Sequence, residues 1–203
     1  MPRLSGDARA PRVTVAPEHF DKLYADNKSD PWNYAESWYE QRKYALTMAS
    51  LPKQRYGACF EAGCSIGEMT KLLAPRCDRL MAVDCSRLAV DKAREAVGDL
   101  GHVRVDHAVL PAGLPDQKFD LIVASELLYF FTVEDLADLL DGLFDRLEPG
   151  GDFVAVHWRV SDSDKRHGYD GFNVHDALRR RTELAQLVQH DDENFVLNVF
   201  RRL

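Results

Sequence analysis

The stretch Glu61-Ala62-Gly63-Cys64-Ser65-Ile66-Gly67, followed after a second apolar run by Asp84, decides the fold. It lies where a strand, Ala58-Cys59-Phe60-Glu61-Ala62-Gly63, meets a helix expected from about Gly67 to Ala74. At such a turn glycine lets the backbone approach a ligand closely, and the helix start offers unpaired N–H groups. The dinucleotide pattern GxGxxG needs glycine at 63, 65 and 68, but those positions hold Gly63, Ser65 and Glu68. A phosphate-loop signature also fails, since no Gly-Lys-Ser/Thr follows. Asp84 ends the second strand, Arg79-Leu80-Met81-Ala82-Val83-Asp84, where one carboxylate can accept both hydroxyls of a ribose. Turn and acid together point to a ribose-bearing cofactor. The alternative is a tight strand–helix turn at Gly63 and Gly67, with Asp84 merely capping the next helix.

Outward from this stretch, strand and helix alternate. Ser86 can cap a helix carrying Ala89, Val90, Ala93 and Val97, and residues 102–105 (HVRV) form a short third strand. Residues 119–126 (FDLIVASE) are a fourth strand, with the continuous apolar run expected when helices cover both faces. Thr132 is an N-cap with Asp135 three residues on, and Leu136, Leu139, Leu140, Leu143 and Leu147 form one apolar face behind it. Pro149, Gly150 and Gly151 break that helix before a fifth strand, residues 152–158. After a polar loop and a short helix near His175, residues 183–189 and 194–200 flank the turn HDDE as a terminal hairpin. The pattern is α/β: a single Rossmann-like, doubly wound sheet, mostly parallel, with an antiparallel C-terminal hairpin.

Before the sheet, residues 1–17, with Pro2, Pro11 and Pro17 among scattered charges, read as a flexible tail. Asp30-Pro31 reads as a helix start, and the aromatic-rich run from Trp32 to about Leu51 as a helix stopped before Pro52. The expected layout is therefore one domain over 18–203, with a helical lid at about 30–51 and a cofactor-binding core at about 58–158.

The chain has 203 residues, 45% of them hydrophobic, and 26 Lys plus Arg against 33 Asp plus Glu, for a net charge of -7. That size suits one domain, and the acidic balance argues against a nucleic-acid or anionic-membrane partner, because phosphate attraction needs clustered cations. No apolar stretch approaches the roughly 20 residues of a membrane helix. The opening residues have charges but no apolar run, so no secretory signal and a cytoplasmic location are expected. Cys59, Cys64, Cys77 and Cys85 lack CxxC spacing and a partnering His cluster, so they read as small buried hydrophobes, with no metal expected.

These motifs resemble the class I S-adenosylmethionine-dependent methyltransferases, whose first motif runs acid-x-Gly-x-Gly-x-Gly and whose second strand ends in an acid. The resemblance implies that Glu61, Gly63, Cys64, Ser65 and Gly67 line the methionine and ribose portions of S-adenosylmethionine, with Asp84 on the ribose hydroxyls. Cys85 and Ser125, at strand ends, join them as implied cofactor contacts. Ser65 departs from the family's middle glycine. Ala108 and Val109 stand where the family often has an Asp near the adenine amine, so adenine would rest there on backbone groups and apolar packing. Phe119-Asp120-Leu121-Ile122 and the turn Glu148-Pro149-Gly150-Gly151 resemble the class's fourth and fifth strand motifs.

Two segments are more particular. Asp30-Pro31-Trp32 with Ser37-Trp38-Tyr39-Glu40-Gln41-Arg42-Lys43-Tyr44, and Ser125-Glu126-Leu127-Leu128-Tyr129-Phe130, resemble the nodulation N-methyltransferase family called NodS-like, as does His157-Trp158-Arg159. The resemblance implies N-methylation of an amine on a small molecule or a deacetylated chitooligosaccharide-like sugar. A small-molecule O-methyltransferase and a non-catalytic S-adenosylmethionine-binding protein are the alternatives.

An amine acceptor must give up a proton before its lone pair attacks. Glu126 is the first candidate to handle it, just past the carboxyl end of the fourth strand where doubly wound sheets place their crevice. A helix-capping acid or a cofactor contact is the other reading. His157, at the end of the fifth strand, is the second candidate, against a hydrogen-bonded structural role. Trp38 and Arg42 share one face of the N-terminal helix, and Tyr39 and Lys43 the adjacent one. As a lid the helix would pair Arg42 with the cofactor carboxylate and set Trp32, Trp38 or Tyr39 against a sugar ring or sulfonium. Otherwise it is an aromatic helix packed on the sheet. Tyr129 and His175 complete the acceptor-binding candidates; His175 follows Asp170-Gly171-Phe172-Asn173, loosely similar to a family Gly-Asp-x-x-His segment.

Overall fold

In this computed structural model, residues 14–26, 30–34, 36–159 and 171–203 are described. Residues 1–13 of the expected tail and 160–170 of the expected polar loop lie outside them. Two helices precede the sheet, α1 (Pro17–Asp26) and α2 (Trp38–Ser50). The alternating core then runs β1 (Tyr56–Ala62), α3 (Glu68–Leu73), β2 (Cys77–Asp84), α4 (Arg87–Val97), β3 (Val103–His107) and β4 (Phe119–Ser125). It continues through α5 (Val133–Arg146) and β5 (Leu147–Trp158), and α6 (Gly171–Arg179) leads to the hairpin of β6 (Leu184–Asp191) and β7 (Phe195–Arg202).

The seven strands order as β3-β2-β1-β4-β5-β7-β6. Pairings among β1 to β5 are parallel, and β7 runs antiparallel to both β5 and β6. The expected sheet and hairpin are therefore present. Neighbouring residues on a strand point to opposite faces, and here both faces are buried. Phe60, Ile122 and Phe153 pack with Leu139, Leu140 and Leu143 of α5, while Cys59, Leu121 and Val154 pack on the other face with Leu73 and Leu197. Strand order reverses between β1 and β4. Such a switch point opens a crevice at the carboxyl ends of the strands, where Gly63, Asp84, Glu126 and Trp158 all lie.

Capping explains several boundaries. Ser86 Oγ accepts from the Ala89 N–H and Thr132 Oγ1 from the Asp135 N–H, as their positions imply. Leu147, expected on the helix face, instead begins β5. Before the sheet the structure differs more. Asp30 does not open a helix: Asp30 Oδ1 accepts from the Trp32 N–H in a turn, and α2 starts at Trp38 behind Ser37, whose Oγ accepts from the Glu40 N–H. Nor does the tail reach 17. Thr14 and Val15 are hydrogen-bonded to the segment after the fourth strand, and Pro17 opens α1 at the first helical position, where its missing N–H costs nothing.

Candidate active site

Gly63, Ser65 and Gly67 all have positive φ (78°, 50° and 88°), which coils the chain tightly between β1 and α3. Gly67 is the more constrained: a Cβ there would lie 3.0 Å from Ala93 Cα. The N–H groups of Gly63 and Cys64 both donate to the Val83 carbonyl at 2.9 Å, fixing the turn to the end of β2. Asp84 completes the joint. Its Oδ2 accepts from the Ser65 N–H and its Oδ1 from the Ser86 N–H, each at 2.9 Å. Burial pushes the Asp84 carboxyl up, and these N–H groups draw it partly back. From α1, the Tyr24 hydroxyl donates to Ser65 Oγ at 2.7 Å.

Above this turn lies a cavity of about 520 Å³. Its walls include Gly63, Ser65, Asp84, Cys85, Ala108, Val109 and Ser125, seven of the eleven residues expected at the cofactor. Val15, Pro17, Phe20, Leu110 and Phe130 contribute apolar wall. Trp32, Tyr34, Tyr39, Tyr129 and Trp158 add rings to its wall, and the carboxylates Glu40 and Glu126 line it as well.

Glu126 sits in the left-handed region, with φ 53°. Its carboxylate accepts three hydrogen bonds. Lys43 Nζ donates to Oε1 at 2.7 Å, the Trp158 N–H donates to Oε2 at 2.8 Å, and the Tyr129 hydroxyl also donates to Oε2. Lys43 is 1% exposed and also donates to Glu40 Oε1 at 3.1 Å. Burial works against its charge, but Glu126 and Glu40 outweigh that and raise its pKa. Burial likewise raises the Glu40 carboxyl, against the pull of Lys43. Glu40 Oε2 lies 2.9 Å from Lys43 Nζ in ionic contact, but no donor is aligned on it, so it keeps hydrogen-bonding capacity.

With this geometry in place, comparison with known proteins is decisive. The family described as Nodulation protein S (NodS) matches residues 19–165. The chain belongs to the NodS family. Nodulation protein S of Rhizobium tropici is 30% identical over 129 residues, 62% of this chain and 53% of that protein. That of Sinorhizobium fredii strain NBRC 101917 / NGR234 is 31% identical over 129 residues, 62% of this chain and 59% of that protein. The match thus spans little more than half the length of these relatives. A solved putative methyltransferase from Pseudomonas syringae is 41% identical, with a TM-score of 0.73 over 82% of this chain and all of that one. NodS N-methyltransferase from Bradyrhizobium japonicum WM9, solved with S-adenosyl-l-homocysteine, shares the fold. Its TM-score is 0.80 at 24% identity, over 91% of this chain and 97% of that one.

Several residues expected at the site, from the class I resemblance or as parts of a helical lid, lie elsewhere. Glu61 is buried beneath the turn, where its Oε2 accepts from the Thr70 hydroxyl at 2.6 Å and burial pushes its carboxyl up to about 8. Cys64 packs its side chain with Ala82, Val90 and Ala93, and Gly67 is pressed on Ala93, so these three shape the turn without lining the cavity. Arg42 points away from it and pairs with Asp192 in the hairpin turn at 2.6 Å. Trp38 is 72% exposed and outside the cavity wall.

His157 and His175 are fully buried, and neither lines the cavity. His157 Nε2 accepts from the Leu128 N–H at 3.0 Å, and the two rings are hydrogen-bonded to each other at 3.1 Å. Asp170 and the side chains of residues 171–173 lie outside the described residues. Conversely, the sequence assigns no site role to Glu40, Tyr24 or Tyr34, and places Lys43 only on a helix face. Ser37-x-x-Glu40 is a capping-box pattern, which signals the helix start but not the site, since the Glu40 carboxylate meets Lys43.

Proposed function

We propose that this chain is an S-adenosylmethionine-dependent N-methyltransferase whose acceptor is an amine on a small molecule or a deacetylated chitooligosaccharide-like sugar. One observation carries the reading: a single cavity joins Asp84 and the glycine turn to a ring-walled pair of carboxylates. When bound, S-adenosylmethionine supplies an electrophilic methyl group on a sulfonium. The residues present fit it. Asp84 would hold the ribose hydroxyls with the oxygen capacity left after two backbone N–H bonds. Gly63, bare of a side chain, leaves room beside Leu127, which a Cβ would approach to 3.1 Å. Val109 and Leu110 offer an apolar slot for adenine, and the rings of Tyr34, Tyr39 and Trp158 favour a cationic centre.

For the acceptor, Glu126 and Glu40 supply two carboxylates against the single ammonium of Lys43. Glu126, held by three donors, is a fixed acceptor array that orients the acceptor N–H bonds. Glu40, which lines the cavity and whose carboxyl burial raises, would take the proton from the ammonium nitrogen and free its lone pair. Positioning supplies much of the remaining acceleration. Calorimetry with S-adenosylhomocysteine tests the donor half: saturable binding with a Kd below about 1 mM is expected, and no binding by folded protein removes the reading.

A further inference from the structure

We propose that His157 and His175 are positioning residues: a neutral relay running Asn198–His175–His157 holds the Leu128 N–H and so sets the orientation of Glu126 toward the acceptor. The inference rests on the reading of Glu126 given above and adds a role for the two buried rings that chemistry at the cavity leaves unused.

The donors and acceptors along the relay assign themselves. The Leu128 N–H donates to His157 Nε2 at 3.0 Å, so that nitrogen carries no proton. In a neutral ring Nδ1 then carries it and donates to His175 Nε2 at 3.1 Å. His175 is left with its proton on Nδ1, which donates to Asn198 Oδ1 at 2.6 Å. Asn198 is fixed in turn, its Nδ2 donating to the Val188 carbonyl at 3.3 Å. Every step matches a donor with an acceptor, and both rings are satisfied without solvent. The relay thereby ties β6, β7, α6 and β5 to the loop after β4.

Three consecutive residues of β5 grip that loop. The Val156 carbonyl accepts from the Glu126 N–H at 2.8 Å, the His157 ring accepts from Leu128, and the Trp158 N–H donates to Glu126 Oε2. The His157 ring also packs edge-on against Tyr129, with centroids 5.3 Å apart, and Tyr129 donates to Glu126. Glu126 sits at positive φ, a backbone state that persists only when its surroundings over-determine it. An apolar residue at 157 would orphan the Leu128 N–H and release one of the three grips. Glutamine retains an acceptor on a side chain of similar reach.

Two measurements together test the proposal. Ring nitrogen NMR of the wild type at neutral pH should find both histidines neutral with the proton on Nδ1; a proton on His157 Nε2, or a charged ring, overturns the relay. Kinetics with a glucosamine tetrasaccharide, normalised to folded protein, should then separate positioning from packing. His157→Leu should leave S-adenosylhomocysteine affinity unchanged and lower kcat about tenfold, the equivalent of one lost buried hydrogen bond. His157→Gln should recover most of that loss. Equal losses in the two variants, or a parallel fall in donor affinity, mean that His157 only packs. If His157→Leu does not fold, His175→Gln and His175→Leu pose the same comparison one step along the relay. A wild type that transfers no methyl group removes the reading of the site and the positioning role with it. A wild type that transfers but holds the wrong tautomers removes the relay alone.

Discussion

Lys43 Nζ lies 2.7 Å from Glu126 Oε1, an ion pair that joins α2 to the loop after β4 behind the cavity-lining Glu126. Removing the cation would leave two carboxylates, Glu126 and the buried Glu40, facing each other without compensation. Lys43→Met should therefore cost about 3 kcal/mol or more, as breaking a buried pair does. Urea unfolding measures it, and a loss below about 1 kcal/mol would class this as a surface-type pair.

Asp84 has its own test. Both of its oxygens hold backbone N–H groups of the turn, so Asp84→Ala removes a wall of the cavity and the restraint on Ser65 together. The two charge-assisted bonds that the ribose hydroxyls would make to Asp84 amount to roughly 3 kcal/mol, or about a hundredfold in affinity. Titration with S-adenosylhomocysteine should register that loss, and unchanged affinity would place the ribose elsewhere.

Gly67 follows from geometry alone. Gly67→Ala must hold φ near 88° and bring a Cβ to 3.0 Å from the Ala93 backbone. The expected destabilisation is about 3 kcal/mol, strain and overpacking together. A thermal melt within error of the wild type would show that the turn yields more easily than its packing implies.

The fold was legible because its signals are local. Apolar runs, glycines at positive φ, Ser86 and Thr132 as caps, and an HDDE turn each declare themselves within a few residues. The expected α2 boundary missed because Asp30-Pro31 and Ser37-x-x-Glu40 both look like helix starts, and only packing chooses between them. The inward face of α2 was harder still. Its buried residues are Glu40, Lys43 and Thr47, a polar stripe at helical spacing, so the rule that apolar residues face inward points the wrong way. Arg42 and Lys43 are adjacent in sequence, yet one meets the hairpin turn and the other Glu126. His157 and His175 look like chemistry in sequence; their contact with each other, behind the cavity wall, is a tertiary fact.

Acid should weaken the molecule through those histidines. Burial holds the His175 pKa at about 4, against an ordinary 6.5, with Arg179 adding to the effect and Asn198, Glu126 and Asp191 opposing it. His157 lies well below its ordinary value through burial, His175 and Lys43. The unfolded chain binds these protons first, so the contribution is complete above about pH 6.5 and is lost as pH falls toward 4. For His175 it amounts to about 3 kcal/mol. Unfolding of wild type and His175→Gln at pH 7.5 and 4 measures it: the wild type should lose more stability on acidification.

Glu61 should act with the opposite sign. Its pKa rises from 4.5 unfolded to about 8 folded, so its contribution is complete below 4.5 and is lost as pH climbs through 8. Glu61→Gln should remove that slope and gain on the wild type by on the order of 4 kcal/mol between pH 5 and 9. A constant difference between the two proteins would mean that Glu61 stays ionised.

The central claim is that one cavity brings a methyl donor to an amine. Its most direct measurement is transfer of a labelled methyl group from S-adenosylmethionine to a chitooligosaccharide bearing one free amine, with the fully N-acetylated oligosaccharide and a hydroxylated analogue alongside. The account expects label on the nitrogen of the free-amine sugar and none on the other two. Label on the hydroxylated analogue alone, or no transfer by folded protein that binds the donor, would contradict it.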